Sequence, residues 1–181
     1  MSDNHVSILP ANPNDGIDYT GVELKEIYLS CGCFWGGEAW MRRIKGIADT
    51  ECGYANGTRD NPTYEEVCTG TTAHAECIRV RFAPSIITTA GVLEAFFEIV
   101  EQEKISVPGD QYRNGIYWSD DKTAREIDVF ISHKKEKGEK IGLELLPLSV
   151  FWEAEEYHQD YLEKNPNGFC HVDLSKLNTR K

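Results

Sequence analysis

The chain has 181 residues, a length suited to one domain with a substantial core, and it is 40% hydrophobic and 27% charged, as in an ordinary globular protein. Its formal net charge of −11 repels phosphate backbones and argues against a nucleic-acid partner, and no apolar run is long enough to span a membrane. The polar start lacks the basic and apolar regions of a signal peptide, so we expect a cytoplasmic protein, and we expect it to be a monomer.

Hydrophobic periodicity and turn residues predict the elements of the first half of the chain. Residues 1–25 are polar and contain several prolines and glycines, which indicates an N-terminal tail. A strand over residues 27–31, a helix over 38–44 and a second strand over 47–54 are expected next. After a loop, Thr63 and Glu66 form the pattern of a capping box, which indicates a short helix that ends near Cys68.

Residues 75–82 have the clearest strand pattern of the sequence. Alternation places Glu76 on the same face as Ile78, Val80 and Phe82. A carboxyl group on a core-facing surface is desolvated, so its pKa rises and it can act as an acid near neutral pH. The alternative is that Glu76, at the end of the strand, turns out to solvent or pairs with an arginine.

The second half of the chain predicts a helix over residues 89–103, a strand over 112–118, a long helix capped by Ser119 and closed by Gly138, a strand over 141–150 broken at Pro147, and a final helix over 153–164. An irregular C-terminal tail, 165–181, follows. This order predicts an α/β (α+β) two-layer sandwich in which helices pack on a mixed sheet, with one domain over 26–164.

Cys33 lies where the first strand turns into the first helix. Unpaired amides and the positive end of the helix dipole stabilise a thiolate there, so we expect the pKa of Cys33 to be lowered. Phe34 and Trp35 follow at once and offer an aromatic wall beside the sulfur. The alternative is that Cys33 is a small, buried and inert hydrophobic residue.

The chain contains six cysteines, at positions 31, 33, 52, 68, 77 and 170. Structural disulfides are rare in cytosolic proteins, so thiol chemistry or metal binding is in question. Zinc sites usually separate paired cysteines by two to four residues, whereas Cys31 and Cys33 have one residue between them, so we expect no bound metal. His74 and His158 are interpreted as structural hydrogen-bonding residues rather than bases.

Several short motifs occur in order along the chain. They are GCFWGGE at 32–38, NPTY at 61–64, CTG at 68–70 with HAE at 74–76, QYR at 111–113, AEEYHQ at 154–159 and NPNGFC at 165–170. Together they resemble the motifs of the A-type peptide methionine sulfoxide reductases. The resemblance implies reduction of methionine S-sulfoxide, in peptides and possibly as the free amino acid, and hence repair of oxidised proteins.

The same resemblance assigns roles in the reaction. Cys33 would be the nucleophile, Glu76 would give a proton to the sulfoxide oxygen, and Cys170 would be the resolving cysteine that forms a disulfide with Cys33. Thioredoxin or a similar dithiol would reduce that disulfide, and no cofactor would be bound. A sulfoxide sulfur becomes electrophilic only when its oxygen is protonated or strongly hydrogen-bonded, which agrees with a thiol facing an acid.

The resemblance also implies the walls of the substrate pocket. Tyr64 and Tyr112 would hydrogen-bond the sulfoxide oxygen, and Phe34 and Trp35 would hold the S-methyl group. The sequence departs from the family at Val107, where most members carry an aspartate.

Asp110 is near enough in the sequence to be a candidate replacement for that aspartate. Two other classes of protein remain open. One is a peptide-binding module without catalysis, and the other is a thiol peroxidase, which also forms a sulfenic acid.

Overall fold

The structure is a computed structural model that describes residues 9–180. Its strands are β1 (Lys25–Cys31), β2 (Ile47–Ala55), β3 (Ala75–Phe82), β4 (Asn114–Trp118), β5 (Glu144–Pro147) and β6 (Phe151–Glu153). They form one mixed sheet in the order β5-β4-β1-β3-β2-β6. Strands β4 and β5 are parallel, and the other neighbours in the sheet are antiparallel.

The helices are α1 (Phe34–Met41), α2 (Tyr64–Cys68), α3 (Thr89–Phe97), α4 (Asp121–Glu136) and α5 (Tyr161–Lys164), with short 3-10 turns at Glu156–His158 and Leu174–Asn178. The main core joins the sheet to α1, α3 and α4, while a small cluster that includes Tyr28 and Tyr117 covers part of the opposite face. This arrangement confirms the predicted sandwich. Within residues 9–180, no helix has the length and apolar character needed to cross a bilayer.

Strand β3 alternates as its sequence predicts. Ile78, Val80 and Phe82 belong to the main core, whereas Cys77 belongs to the cluster on the opposite face. Glu76 is 1% exposed, so its carboxyl group faces inward and does not turn out to solvent. The inward-facing interpretation of this residue is confirmed.

Several expected boundaries are wrong. Helix α1 begins at Phe34, directly after Cys33, and not at Glu38. Helix α4 is capped by Asp120, whose Oδ1 accepts the Thr123 amide at 2.8 Å, and not by Ser119.

Two further expected elements differ from the structure. Two short strands replace the expected strand over 141–150. The expected helix over 153–164 is a strand end, a 3-10 turn and the short α5. Asp160 interrupts the helical path because its φ is 53°, in the left-handed region.

Segments that flank the sheet are packed against it. Asn14 binds the segment that follows α1, because its Nδ2 donates to the Arg42 and Ile44 carbonyl oxygens at 3.0 and 2.9 Å. Residues 1–8 of the expected N-terminal tail lie outside the described residues. In the irregular C-terminal segment, Val172 and Leu174 are buried in the main core.

Candidate active site

Cys33 is half-buried at the N-cap position of α1. The backbone N–H groups of Trp35 and Gly36 approach its sulfur and favour the thiolate, as expected at a helix start. The expected lowering of the pKa is nevertheless wrong. Burial and the negative charge of Glu76 outweigh the two amides and raise the pKa of Cys33 to about 12.

Glu76 is the second residue of β3, and its side chain extends toward the start of α1. Its Oε2 accepts the Phe34 N–H at 3.0 Å, and its Oε1 accepts a hydrogen bond from Gln111 Nε2 at 2.8 Å. Burial raises the pKa of Glu76 to about 7, although both hydrogen bonds oppose the shift. The carboxyl group can therefore hold or release a proton at neutral pH. It does so beside Cys33, because the Phe34 N–H that it binds belongs to the next residue of the chain.

The two tyrosines of the expected site lie beside this carboxyl group. Tyr64 begins α2, where Glu155 Oε2 accepts its backbone N–H at 3.0 Å. Tyr112 is 45% exposed. Burial and the Glu76 charge raise the pKa of Tyr112, while a hydrogen bond with the Tyr64 side chain lowers it. Burial and a hydrogen bond with Cys68 also raise the pKa of Tyr64, so both hydroxyl groups are protonated donors at neutral pH.

An aromatic cluster fixes the Trp35 ring. The indole stacks on Tyr161, with ring centroids 3.7 Å apart, and its Nε1 donates to His158 Nδ1 at 3.0 Å. Burial lowers the pKa of His158, so this imidazole is neutral and accepts the bond. Phe34 is 1% exposed and packs against Tyr54 and His158.

Cys170 lies close to the same helix start. A Cβ atom placed on Gly36 would be 3.0 Å from Cys170 Sγ, so the absence of a side chain there lets the C-terminal segment approach. Beside it, His171 Nε2 is 2.8 Å from the Cys31 carbonyl oxygen. The six cysteines are free thiols in this structure.

One cavity of about 440 Å³ lies beside these groups, and the predicted site residues Phe34 and Cys170 are not part of its lining. Cys33, Trp35, Tyr64, Glu76 and Tyr112 line it, together with Cys31, Gly32, Ile99, Glu101, Lys104, Asn114, Phe169 and His171. Its volume lies in the ~300–1,000 Å³ range of small-molecule sites. The arrangement brings a thiol, a buried acid, two hydroxyl donors and an aromatic wall to one space.

Comparison with known proteins agrees with this geometry. A family profile described as Peptide methionine sulfoxide reductase matches residues 25–181. Peptide methionine sulfoxide reductase MsrA of Clostridium botulinum (strain Okra / Type B1) is 46% identical over 159 residues, which cover 83% of this chain and 99% of the relative.

Two solved structures are similar as well. Mxr1 of Saccharomyces cerevisiae in reduced form has a TM-score of 0.75 at 37% identity, covering 82% of this chain and 89% of that chain. Mxr1 in complex with Trx2 has a TM-score of 0.57 at 28% identity, covering 81% and 90%.

This chain belongs to the peptide methionine sulfoxide reductase family. It is therefore an oxidoreductase that reduces methionine sulfoxide.

Asp110 was a candidate replacement for the aspartate that most family members carry at the position of Val107. Among the described residues, Val107 and Asp110 lie outside the cavity wall, and Asp110 Oδ1 accepts the Tyr112 backbone N–H at 2.8 Å.

Sequence reasoning assigned no role to several residues that support this reductase site. Gln111 holds Glu76, and Glu155 holds Tyr64. The QYR and AEEYHQ motifs contain both residues, so their position in a motif was the available signal. Glu101 and Lys104 carry no such signal, because only the folded chain brings them to the cavity.

Proposed function

We propose that Cys33 attacks the sulfur of methionine S-sulfoxide while Glu76 gives a proton to its oxygen. The supporting observation is the hydrogen bond between Glu76 Oε2 and the Phe34 N–H at 3.0 Å, which ties the buried acid to the start of the helix that Cys33 caps. Tyr64 and Tyr112 donate hydrogen bonds to the same oxygen. Trp35 lines the cavity and contacts the S-methyl group, while Phe34 packs on His158, the hydrogen-bond partner of the Trp35 indole.

The proton balance of this step needs only the two site groups. In the reactive form Glu76 holds the proton and Cys33 is a thiolate. Burial still opposes this thiolate, but protonation of Glu76 removes the neighbouring negative charge, and the Trp35 and Gly36 amides then favour the charged sulfur. The thiolate attacks the sulfoxide sulfur and forms an S–S bond, while the carboxyl gives its proton to the oxygen. The hydroxyl group then moves to the Cys33 sulfur as the S–O and S–S bonds of this intermediate break, and the electron pair stays on the methionine sulfur. Methionine leaves, and Cys33 becomes a sulfenic acid.

Cys170 then resolves the sulfenic acid. Its thiol attacks the Cys33 sulfur, which releases water and forms a Cys33–Cys170 disulfide. The close approach of Cys170 to Gly36 supports this pairing. Gly36 lies in the first turn of α1, and Cys33 is the N-cap residue of the same helix.

Recycling by a thioredoxin-type dithiol completes the cycle. The similarity to yeast Mxr1, which has been crystallised with Trx2, supports this partner. Oxidised proteins and peptides are the proposed substrates, and repair of oxidative damage is the proposed role. Six free thiols suit a reducing compartment, so we place the protein in the cytoplasm, and we propose that it acts as a monomer without a bound cofactor.

The test uses the separated S and R sulfoxides of N-acetyl-methionine methylamide, with dithiothreitol as reductant. The wild-type protein should reduce the S epimer, Cys33→Ser should be inactive, and the control Cys77→Ala, on the face of the sheet opposite the main core, should turn over normally. Turnover by Cys33→Ser would refute the nucleophile. A peroxidase would instead consume hydrogen peroxide and leave both sulfoxides, and a binding module would retain the peptide unchanged.

A further inference from the structure

Two oppositely charged side chains line the mouth of the active-site cavity. Glu101 and Lys104 lie on one turn after α3, where the Lys104 N–H donates to the Glu101 carbonyl oxygen at 3.0 Å. Lys104 Nζ is 3.6 Å from Glu101 Oε2, and the two side chains are 64% and 73% exposed. An exposed ion pair contributes little to stability, so both groups remain free to bind a ligand.

The turn that carries this pair is fixed by its neighbours. The Gln102 carbonyl oxygen accepts the Gly142 N–H at 2.7 Å, and the Glu101 carbonyl oxygen accepts from Asn114 Nδ2 at 3.4 Å. A Cβ on Gly142 would lie 2.5 Å from the Lys104 carbonyl oxygen, so the two backbones are in close contact. The charged side chains therefore start from a defined place on the cavity wall.

We propose that Glu101 and Lys104 are specificity-determining residues that bind the backbone charges of free methionine sulfoxide. Lys104 binds the α-carboxylate, and Glu101 binds the α-ammonium group. This inference rests on the proposed function, because it requires the sulfoxide of the same molecule to face Cys33 and Glu76.

The chemistry of the substrate supports this choice. A free amino acid carries one positive and one negative group on the same α-carbon, and the protein presents the opposite charges 3.6 Å apart. A residue inside a peptide has neutral amides at these positions, for which two charged side chains give no advantage. Charge-assisted hydrogen bonds to the backbone groups would therefore add to the binding of the free amino acid, which the enzyme would reduce in addition to its peptide substrates.

The test compares four forms of the S sulfoxide. They are the free amino acid, its methyl ester, which keeps only the ammonium group, its N-acetyl derivative, which keeps only the carboxylate, and the doubly blocked N-acetyl methylamide. Lys104→Met should raise KM about 3- to 10-fold for the two substrates with a free carboxylate. Glu101→Gln should do the same for the two with a free ammonium group, and kcat should stay constant.

Lys135→Met, at an exposed lysine of α4, is the matched control and should leave all four KM values unchanged. An equal KM change for all four substrates, or no change for the free amino acid, would overturn the proposal. Failure of the wild-type protein to reduce the doubly blocked sulfoxide would instead overturn the proposed function itself, because that substrate carries no backbone charge.

Discussion

Glu76→Gln is expected to remove most of the activity and, at the same time, to stabilise the folded chain above pH 7. The amide cannot give a proton to the sulfoxide oxygen, so kcat/KM should fall by about 10²- to 10⁴-fold. Its oxygen can still accept the Phe34 N–H, and the Gln111 amide can turn to face the new NH₂ group. The substitution therefore removes a buried charge and keeps the local hydrogen bonds.

The size of the stability gain follows from the pKa of Glu76. Burial raises it from the ordinary 4.5 to about 7. Above pH 7 the carboxyl is charged in both the folded and the unfolded chain, and the burial of that charge disfavours folding by about 3 kcal/mol at 1.36 kcal/mol per pKa unit. Below pH 4.5 it is protonated in both states, so the penalty is absent.

Urea unfolding of wild type and Glu76→Gln between pH 4.5 and 8.5 measures this effect. The variant should have nearly the wild-type free energy of unfolding at pH 4.5 and should exceed it increasingly as the pH rises. Glu38→Gln is a control, because burial also raises the pKa of Glu38 to about 7 but this carboxyl lies outside the cavity wall. It should show a similar pH trend and retain most turnover. A stability difference for Glu76→Gln that does not depend on pH would refute the buried, titrating acid.

Three further substitutions test the supports of the site and of the fold. His158→Phe keeps an aromatic ring but leaves the part-buried Trp35 N–H without its acceptor, so KM for the blocked sulfoxide should rise roughly tenfold in steady-state assays. Wild-type KM in this variant would show that His158 does not position the indole. Gly36→Ala should displace the C-terminal segment at Cys170, so rapid-quench kinetics should show slower disulfide formation with unchanged release of the first methionine. Slower release of methionine would contradict a role confined to resolution. Asp120→Ala removes the cap of α4 and should cost about 1 kcal/mol in thermal unfolding, whereas altered kinetics would contradict its purely structural role.

The sequence correctly predicted that Glu76 faces inward, but it did not correctly predict the pKa of Cys33. Alternation along β3 was sufficient to turn Glu76 inward, because a period of two depends only on the strand itself. The pKa of Cys33 has a cause that no local pattern contains. The helix start was visible in the sequence, but the opposing carboxylate and the burial of the sulfur depend on contacts between β3 and α1.

The helix predicted over residues 153–164 was wrong for a related reason. Residues 153–164 have a helical composition, but side chains from distant parts of the chain bind their backbone. Glu38 Oε2 accepts the Asp160 N–H at 2.9 Å, and Asp160 is in the left-handed region. These tertiary contacts replace a long helix by two short turns, which place His158 and Tyr161 against the Trp35 ring.

One measurement tests the proposed chemistry most directly. Reduced enzyme is mixed with excess blocked methionine S-sulfoxide in the absence of any reductant, and the methionine formed and the cysteine products are measured by mass spectrometry. The wild-type chain should form one equivalent of methionine and a Cys33–Cys170 disulfide. Cys170→Ser should form the same equivalent and carry a sulfenic acid on Cys33, which dimedone labels. A sulfenic acid on any other cysteine, or methionine formed by Cys33→Ser, would contradict the account.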